Sequence, residues 1–325
     1  MTERAPRNKT LQLSADQERQ LSERVIRLTE QVEDVTQVLD RTIEGDCTRV
    51  LSLLPDGIAD LVVADPPYNM DKRFKQMRFR SMSDEAYEEY LDSWMKQLCA
   101  KLKPNGSIYV CCDWRSSSAV ARVMSRYFTI LNRITWQREK GRGAKANWKN
   151  SMEDIWFGVR NPEEYYFDLD SVKMKRRVLA PYRTDDAPRD WQQTAEGKFR
   201  MTCPSNFWDD ITVPYWSMPE NTEHPTQKPE KLVAKLILAS SAEGGVVLDP
   251  FLGSGTTSVV ARKLGRHYIG IEIDPHYCCI AEHRLAQAAD NIAIQGYSDG
   301  VFWERNTLLA QRQSKKRVRN LKKAK

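Results

Sequence analysis

Several features are missing from this sequence, and each absence excludes a class of protein. No apolar run approaches the ~18 residues of a membrane span. The opening residues, MTERAPRNKT, are polar and lack the apolar core of a secretory signal. Cysteine is present seven times, an odd count that includes the neighbours Cys111-Cys112 and Cys278-Cys279, which is no disulfide framework. A reducing, cytoplasmic setting without membrane attachment is expected. Histidine occurs only four times. His276, Cys279 and His283 have metal-like i, i+3, i+7 spacing but no evident fourth ligand, so a structural role and no metal are expected. Neither G-x-x-x-x-G-K-[ST] nor G-x-G-x-x-G occurs at the glycine-rich turn, which excludes a phosphate loop and a dinucleotide fingerprint there.

Charge is nearly balanced except in one place. The chain of 325 residues has a net charge of +6, and residues 315–325, KKRVRNLKKAK, carry seven positive charges and no negative ones. The remainder therefore sits at −1. Such a tail binds polyanions by releasing counterions, or is simply solvated. With 41% hydrophobic and 29% charged residues, the composition is that of a globular protein with one or two domains.

Apolar runs at Leu61–Ala64, Ser107–Cys112, Ile130–Trp136, Ile155–Val159, Val246–Leu248 and Tyr268–Ile273 read as strands. Helical stretches fall at Asp84–Leu102, Ser116–Tyr127, Glu230–Ser240 and Thr256–Leu264. Strands alternating with helices predict an α/β fold with a mostly parallel sheet. Leu21, Val25, Leu28, Val32, Val35 and Leu39 follow a 4-3-4-3-4 spacing, which predicts an amphipathic helix packed on the body or, as a seam, a homodimer. The alternation stops between Asn161 and Glu223. A structureless loop of that length is improbable inside a domain, so an inserted subdomain is expected.

Three short segments carry chemistry. Asp65-Pro66-Pro67-Tyr68-Asn69 follows the run Leu61–Ala64. Neither proline can continue a ladder, so the strand ends in a rigid corner, where open α/β sheets place ligands. Asp249-Pro250-Phe251-Leu252-Gly253-Ser254-Gly255-Thr256-Thr257 follows a second strand; its glycines admit a ligand to the backbone, ahead of a helix start. The next strand ends in Glu272, an acidic group suited to ribose hydroxyls, so the pattern is an adenosine pocket without a pyrophosphate. His224-Pro225-Thr226-Gln227-Lys228-Pro229 precedes a helix, where Thr226 and Lys228 can face a small carboxylate.

Together these segments resemble the DNA amino-methyltransferases, which use S-adenosylmethionine to methylate adenine N6 or cytosine N4. D-P-P-Y at 65–68 precedes D-P-F-L-G-S-G-T-T at 249–257, with H-P-T-Q-K-P at 224–229 between them. That permuted order is similar to the β group of the family. Gly45-Asp46-Cys47 matches a further cofactor-contacting element, and the resemblance spans about residues 42–290.

The resemblance implies a Rossmann-like class I methyltransferase sheet with helices on both faces and an inserted target-recognition subdomain. It divides the chain into an N-terminal helical extension (1–41), a catalytic half (42–160), the insertion (161–223), a cofactor-binding half (224–290) and a C-terminal extension with the basic tail (291–325). Asp65 and the Pro66 carbonyl would accept from the target amine in the corner stiffened by Pro67, and Tyr68 would stack on a flipped base. Asp46, Cys47, His224, Thr226, Lys228, Asp249, Phe251, Gly253, Ser254, Gly255, Thr256 and Glu272 would surround the cofactor. Double-stranded DNA is the implied partner, in the cytoplasm or nucleoid of a prokaryote or phage-infected cell, with a restriction endonuclease as a conceivable counterpart. Lys72, Arg73, Lys75, Arg78 and Arg80 are interleaved with phenylalanines just after the corner and suit DNA contact, as do Lys140, Arg142 and Lys145, and Lys175, Arg176 and Arg177. Residues 139–223 hold 13 Lys/Arg against 15 Asp/Glu, so contact there must be local. Adenine is favoured because D-P-P-Y is the commoner form for it. Cytosine N4 is the alternative, and a catalytically silent DNA-binding subunit a remoter one.

Overall fold

The computed structural model describes residues 7–74, 77–138, 147–178, 183–184, 187–194, 197–305, 307 and 311. The first half supplies β1 (Arg41–Glu44), β2 (Ala59–Ala64), the hairpin β3 (Lys72–Phe74) and β4 (Met77–Phe79), β5 (Leu102–Cys112), β6 (Thr129–Gln137) and β7 (Met152–Val159). The middle holds β8 (Met174–Arg177), the pair β9 (Arg183–Thr184) and β10 (Ala187–Pro188), then β11 (Gln192–Thr194), β12 (Gly197–Thr202) and β13 (Phe207–Trp208). The last part adds β14 (Val246–Asp249), β15 (His267–Glu272), β16 (Tyr297–Ser298) and β17 (Val301–Trp303). The helices are α1 (Ala15–Ser22), α2 (Cys47–Leu53), α3 (Asp84–Lys101), α4 (Ser117–Met124), α5 (Glu230–Ser240), α6 (Thr256–Lys263) and α7 (Pro275–Asp290).

Eight strands form one sheet in the order β1-β15-β14-β2-β5-β7-β6-β13, with β7 alone running against its neighbours. All six strands expected from apolar runs belong to it. The central runs, in β2, β5 and β14, are apolar on both sides because helices cover both faces. Apolar residues of α2, α3 and α4 pack on one face, and those of α5, α6 and α7 on the other. Polar residues fix the helix starts: Asp46 caps α2, Ser83 caps α3, and Asp274 caps α7 with proline at its first turn.

β2 and β14 lie side by side at the centre, paired Val247 to Leu61 and Leu248 to Val62. From β2 the chain crosses to β5 on one side, and from β14 to β15 on the other. That reversal opens a crevice at the carboxyl ends of both strands. Asp65 follows the end of β2 and Asp249 ends β14, so residues far apart in sequence meet there.

The amphipathic helix expected over Leu21–Leu39 is not formed. Helix α1 ends at Ser22, and Ile26 instead pairs with Ile43 on the outer edge of β1. The Ile26 amide donates to the Thr42 carbonyl at 3.0 Å, and the Glu44 amide donates to the Ile26 carbonyl at 2.9 Å. Two causes act together: β-branched residues recur from Val25 to Val38, and the unpaired β1 edge offers hydrogen bonds. Val32 and Val38 are buried in the chain's own core, so the seam that suggested a homodimer is absent.

The interval 161–223 is not closed on itself. A second sheet has the order β11-β12-β8-β17-β16, and its last two strands come from the expected C-terminal extension. β17 runs parallel to β8, pairing Phe302 with Met174. Lys231 and Lys235 of α5 both form ion pairs with buried Asp210, at 2.6 and 3.0 Å, and Lys231 also donates to the Trp303 carbonyl at 2.6 Å. Burial lowers the pKa of Lys235 to about 8, against the opposing pull of Asp210.

Candidate active site

A cavity of about 450 Å³ occupies the crevice. One wall is the corner after β2. Tyr87 donates to the Pro67 carbonyl at 3.0 Å, and the Asn69 side chain exchanges two hydrogen bonds with the Met82 backbone, so the corner is braced from α3 and its leading loop. Tyr68 is oriented toward two carboxylates: its hydroxyl lies 2.9 Å from Asp65 Oδ1 and 3.1 Å from Glu153 Oε2. With a single proton, it donates to one of them at a time.

Lys228 was expected to hold a carboxylate of the cofactor. Its ammonium forms ion pairs with two carboxylates of the chain, Asp65 at 2.5 Å and Glu153 at 3.3 Å. It also donates to the Tyr68 hydroxyl at 3.1 Å and lies over the Tyr68 ring. Burial works against this charge, but Asp65 and Glu153 outweigh it and the pKa of Lys228 is raised. Burial, reinforced by the same carboxylates, raises that of Tyr68 well above normal, so the phenol keeps its proton.

The opposite wall is the glycine turn and the ends of β14 and β15. Asp249 accepts from the Phe251 amide at 2.9 Å, and Glu272 accepts from the amides of Gly253 at 2.7 Å and Asp274 at 2.8 Å. Burial pushes both carboxyls up to about 7. His224 is driven down to about 3, first by burial and then by Lys228, which leaves it neutral. Phe251 is fixed edge-on against Trp94, with ring centroids 5.1 Å apart.

Of the expected cofactor residues, Asp46, Cys47, His224, Thr226, Lys228, Asp249, Phe251, Gly253, Ser254, Thr256 and Glu272 all line the cavity. Gly255 does not. Its φ is +83°, and a Cβ there would fall 2.6 Å from the Ala281 Cβ, so this glycine lets α6 pack against α7. Asp46 faces the cavity with one oxygen committed to capping α2, through the amides of Thr48 and Arg49.

The residues suit an adenosyl group carrying an amino acid. The buried Asp274 Oδ2 on this wall has no hydrogen-bond partner among the described residues. At Gly253 a Cβ would come within 3.1 Å of the His224 ring, so a side chain would crowd the space left for a ligand.

Two functional residues escaped the sequence reading. Glu153, 3% exposed on β7, touches Tyr68, Lys228 and Arg138. Arg284 of α7 clamps the glycine turn, donating to the Ser254 carbonyl at 2.8 Å and Thr256 Oγ1 at 3.0 Å. An acidic residue opening an apolar strand was the one available signal for Glu153; Arg284 had none.

The basic candidates are divided. Lys72 lines the cavity, half-buried, and burial and then Arg138 lower its pKa. Arg73 and Arg78 pair across the β3–β4 hairpin, and Arg80 is exposed beyond it. Lys75, Lys140, Arg142, Lys145 and the tail 315–325 lie outside the described residues. On β8, the Lys175 ammonium lies over the Trp303 and Phe199 rings, 4.5 and 5.0 Å from their centroids. Arg176 stands directly opposite Arg200 of β12, and the Nε of each is buried without a hydrogen-bond partner among the described residues. Arg177 is exposed. His276, Cys279 and His283 do not converge: His276 lies between Glu18 and Glu223, and His283 contacts Gln287. No metal cluster occurs among the described residues.

A crevice at the switch point of a mostly parallel sheet, with D-P-P-Y on one wall and a glycine turn on the other, defines the class as a Rossmann-like methyltransferase. The sequence profile of the DNA methylase family (N6_N4_Mtase) matches residues 59–283, and the chain belongs to that family, whose methyl donor is S-adenosylmethionine. It is 34% identical over 253 residues to the DNA adenine methyltransferase YhdJ of Escherichia coli K12, covering 76% of this chain and 83% of that protein. It is 32% identical over 249 residues to the type II methyltransferase M.HpaI of Haemophilus parainfluenzae, covering 75% and 74%. The fold is shared with M1.HpyAVI in complex with SAM (TM-score 0.51, 21% identity, 75% of this chain and 98% of that one). It is shared also with the cytosine-N4-specific PvuII DNA methyltransferase (TM-score 0.56, 18% identity, 78% and 92%).

Proposed function

We propose that this DNA methylase transfers the methyl group of S-adenosylmethionine to N6 of adenine at a defined site in double-stranded DNA. The observation that carries the reading is the placement of the Asp65 carboxylate and the Tyr68 ring, in one braced corner, on the wall facing the glycine turn. An exocyclic amine is a poor nucleophile because its lone pair is delocalised into the ring. Hydrogen bonds from its two N–H groups to Asp65 and the Pro66 carbonyl favour a pyramidal nitrogen and free the lone pair. S-Adenosylmethionine, when bound, supplies an electrophilic methyl on a sulfonium. Glu272 holds the ribose hydroxyls, Asp46 and Cys47 border the adenine, and Thr226 faces the methionine end. The corner lies in a crevice a base inside a duplex cannot reach, so the target nucleotide is flipped out.

Adenine is preferred over cytosine because the corner opens with Asp65 and because YhdJ, a relative over most of both chains, is an adenine enzyme. Recognition of neighbouring base pairs is assigned to the second sheet. There Arg176 and Arg200 face each other across the strands, with only Arg200 in an ion pair, to Asp190, among the described residues, so a DNA phosphate would offset the remaining positive charge. The test is to incubate the protein with methyl-tritiated donor and unmethylated DNA, then separate the nucleosides. Label in N6-methyladenine is expected. Label in N4-methylcytosine would overturn the base assignment, and no label the activity. Methylation-sensitive sequencing of the product DNA maps the site.

A further inference from the structure

Glu153 has no part in the roles assigned so far, yet it is a nearly inaccessible carboxylate beside the reacting corner. It stands on β7, the strand that runs against the rest of the sheet. Its two oxygens face different partners. Oε1 receives the Arg138 guanidinium, while Oε2 lies 3.1 Å from the Tyr68 hydroxyl and 3.3 Å from Lys228 Nζ. The same two donors reach Asp65, at 2.9 and 2.5 Å. Asp65 and Glu153 thus share one ammonium and are alternative acceptors for one phenol proton.

The proposed reaction requires Asp65 to accept a hydrogen bond from the target amine. Its Oδ2 is engaged by Lys228 and its Oδ1 by Tyr68, so an arriving amine competes with both. The Lys228 side chain is only 10% exposed, and a buried ammonium that lost its carboxylate would be strongly disfavoured. Asp65 and Glu153 are the two carboxylates that reach it among the described residues. We infer that Glu153 is a positioning residue: it receives the Lys228 ammonium and the Tyr68 hydroxyl when the target amine takes their place on Asp65. No proton changes owner in this exchange. Arg138 stays on Oε1 and keeps the second carboxylate charge paired throughout. The inference rests on the reading that Asp65 binds the target amine.

The experiment compares wild type and E153Q, using duplexes that carry the mapped site with either the target nucleotide or an abasic position. In the abasic duplex no amine reaches Asp65, so no exchange is needed. E153Q should bind the target-containing duplex about tenfold or more weaker than wild type, with a raised KM for DNA. Its affinities for the abasic duplex and for S-adenosylmethionine should stay within about twofold. E153D should recover part of the loss, because it restores the charge. Equal weakening on both duplexes, or no weakening on either, would overturn the inference. K228M provides an independent arm: without the ammonium, adding E153Q should alter discrimination between the duplexes by less than about twofold. The double variant also removes one charge of each sign, so the net charge of the cluster is unchanged if E153Q alone fails to fold. An equal loss in both backgrounds would again reject the exchange. Failure of the wild-type protein to methylate DNA would instead reject the underlying reading.

Discussion

The two walls of the cavity satisfy their buried charges in opposite ways. On the corner wall, side chain answers side chain: Lys228 lies between Asp65 and Glu153, and Arg138 holds the far oxygen of Glu153. On the glycine wall, Asp249 and Glu272 accept from backbone amides, with no cation in an ion pair to either among the described residues. Side-chain partners can be exchanged by rotating a few torsions, whereas backbone amides are fixed by the fold. In the proposed function, the wall that receives a flipped base is therefore built from exchangeable contacts. The wall proposed to hold the cofactor is preorganised, and its carboxyls are left with pKa values near 7.

The strongest break of this contrast is Asp65→Ala. Methyl transfer should fall by about 10³-fold or more, while calorimetry finds donor affinity within about threefold of wild type. Lys228 keeps Glu153 as its partner in this variant, so the corner should not unfold. Equal losses in transfer and donor binding would show that the walls are not separable. On the other side, Gly255→Ala combines a left-handed φ with a Cβ pressed on Ala281. It should lower the unfolding free energy by about 2–4 kcal/mol, read from the shift in denaturant midpoint.

Glu272→Ala removes the proposed ribose acceptor and strands the Gly253 and Asp274 amides. Donor affinity should weaken by about 10–100-fold, with kcat at saturating donor changed far less. A subtler test is pH. Glu272 has a folded pKa of about 7 against an ordinary 4.5, so the folded state holds its proton to higher pH than the unfolded chain does. Its contribution to stability is complete below about 4.5 and is lost as pH rises through about 7. E272Q does not suffer that loss. The difference between the Tm of E272Q and that of wild type, without donor, should therefore grow in favour of E272Q from pH 5 to pH 8. A constant difference would contradict the burial-driven shift. Removing the basic residues 315–325 should lower DNA affinity and flatten its salt dependence, with the methylated site unchanged.

Much of the fold was legible because its signals are local. The six apolar runs became strands, and Glu230–Ser240 was located to the residue, since a proline precedes it and the apolar pattern is continuous. The N-terminal segment shows where such reasoning stops. The spacing from Leu21 to Leu39 fits a helix, but β1 pairs on one side with the distant β15 and its open edge captured Ile26. The second sheet was equally hidden, because two of its strands arrive from residues 297–303, more than a hundred positions after β8. A strand of two or three residues has no periodicity of its own.

At the site, the sequence by itself determined which residues could bear the chemistry. The proline-stiffened corner, the glycine turn and the acidic strand end are short-range features, and short-range steric rules place them after strands wherever they occur. Tertiary structure alone decided which of them face each other. β2 and β14 became neighbours at the switch point, and that put Asp65 across the cavity from Glu272. The partners of Lys228 were settled in the same way. Its ammonium could have met any anion within reach, and the antiparallel insertion of β7 supplied Glu153 from 75 residues away. Pairing of buried charges depends on distances of a few ångströms through a low-dielectric interior, and no order of residues along the chain encodes those distances.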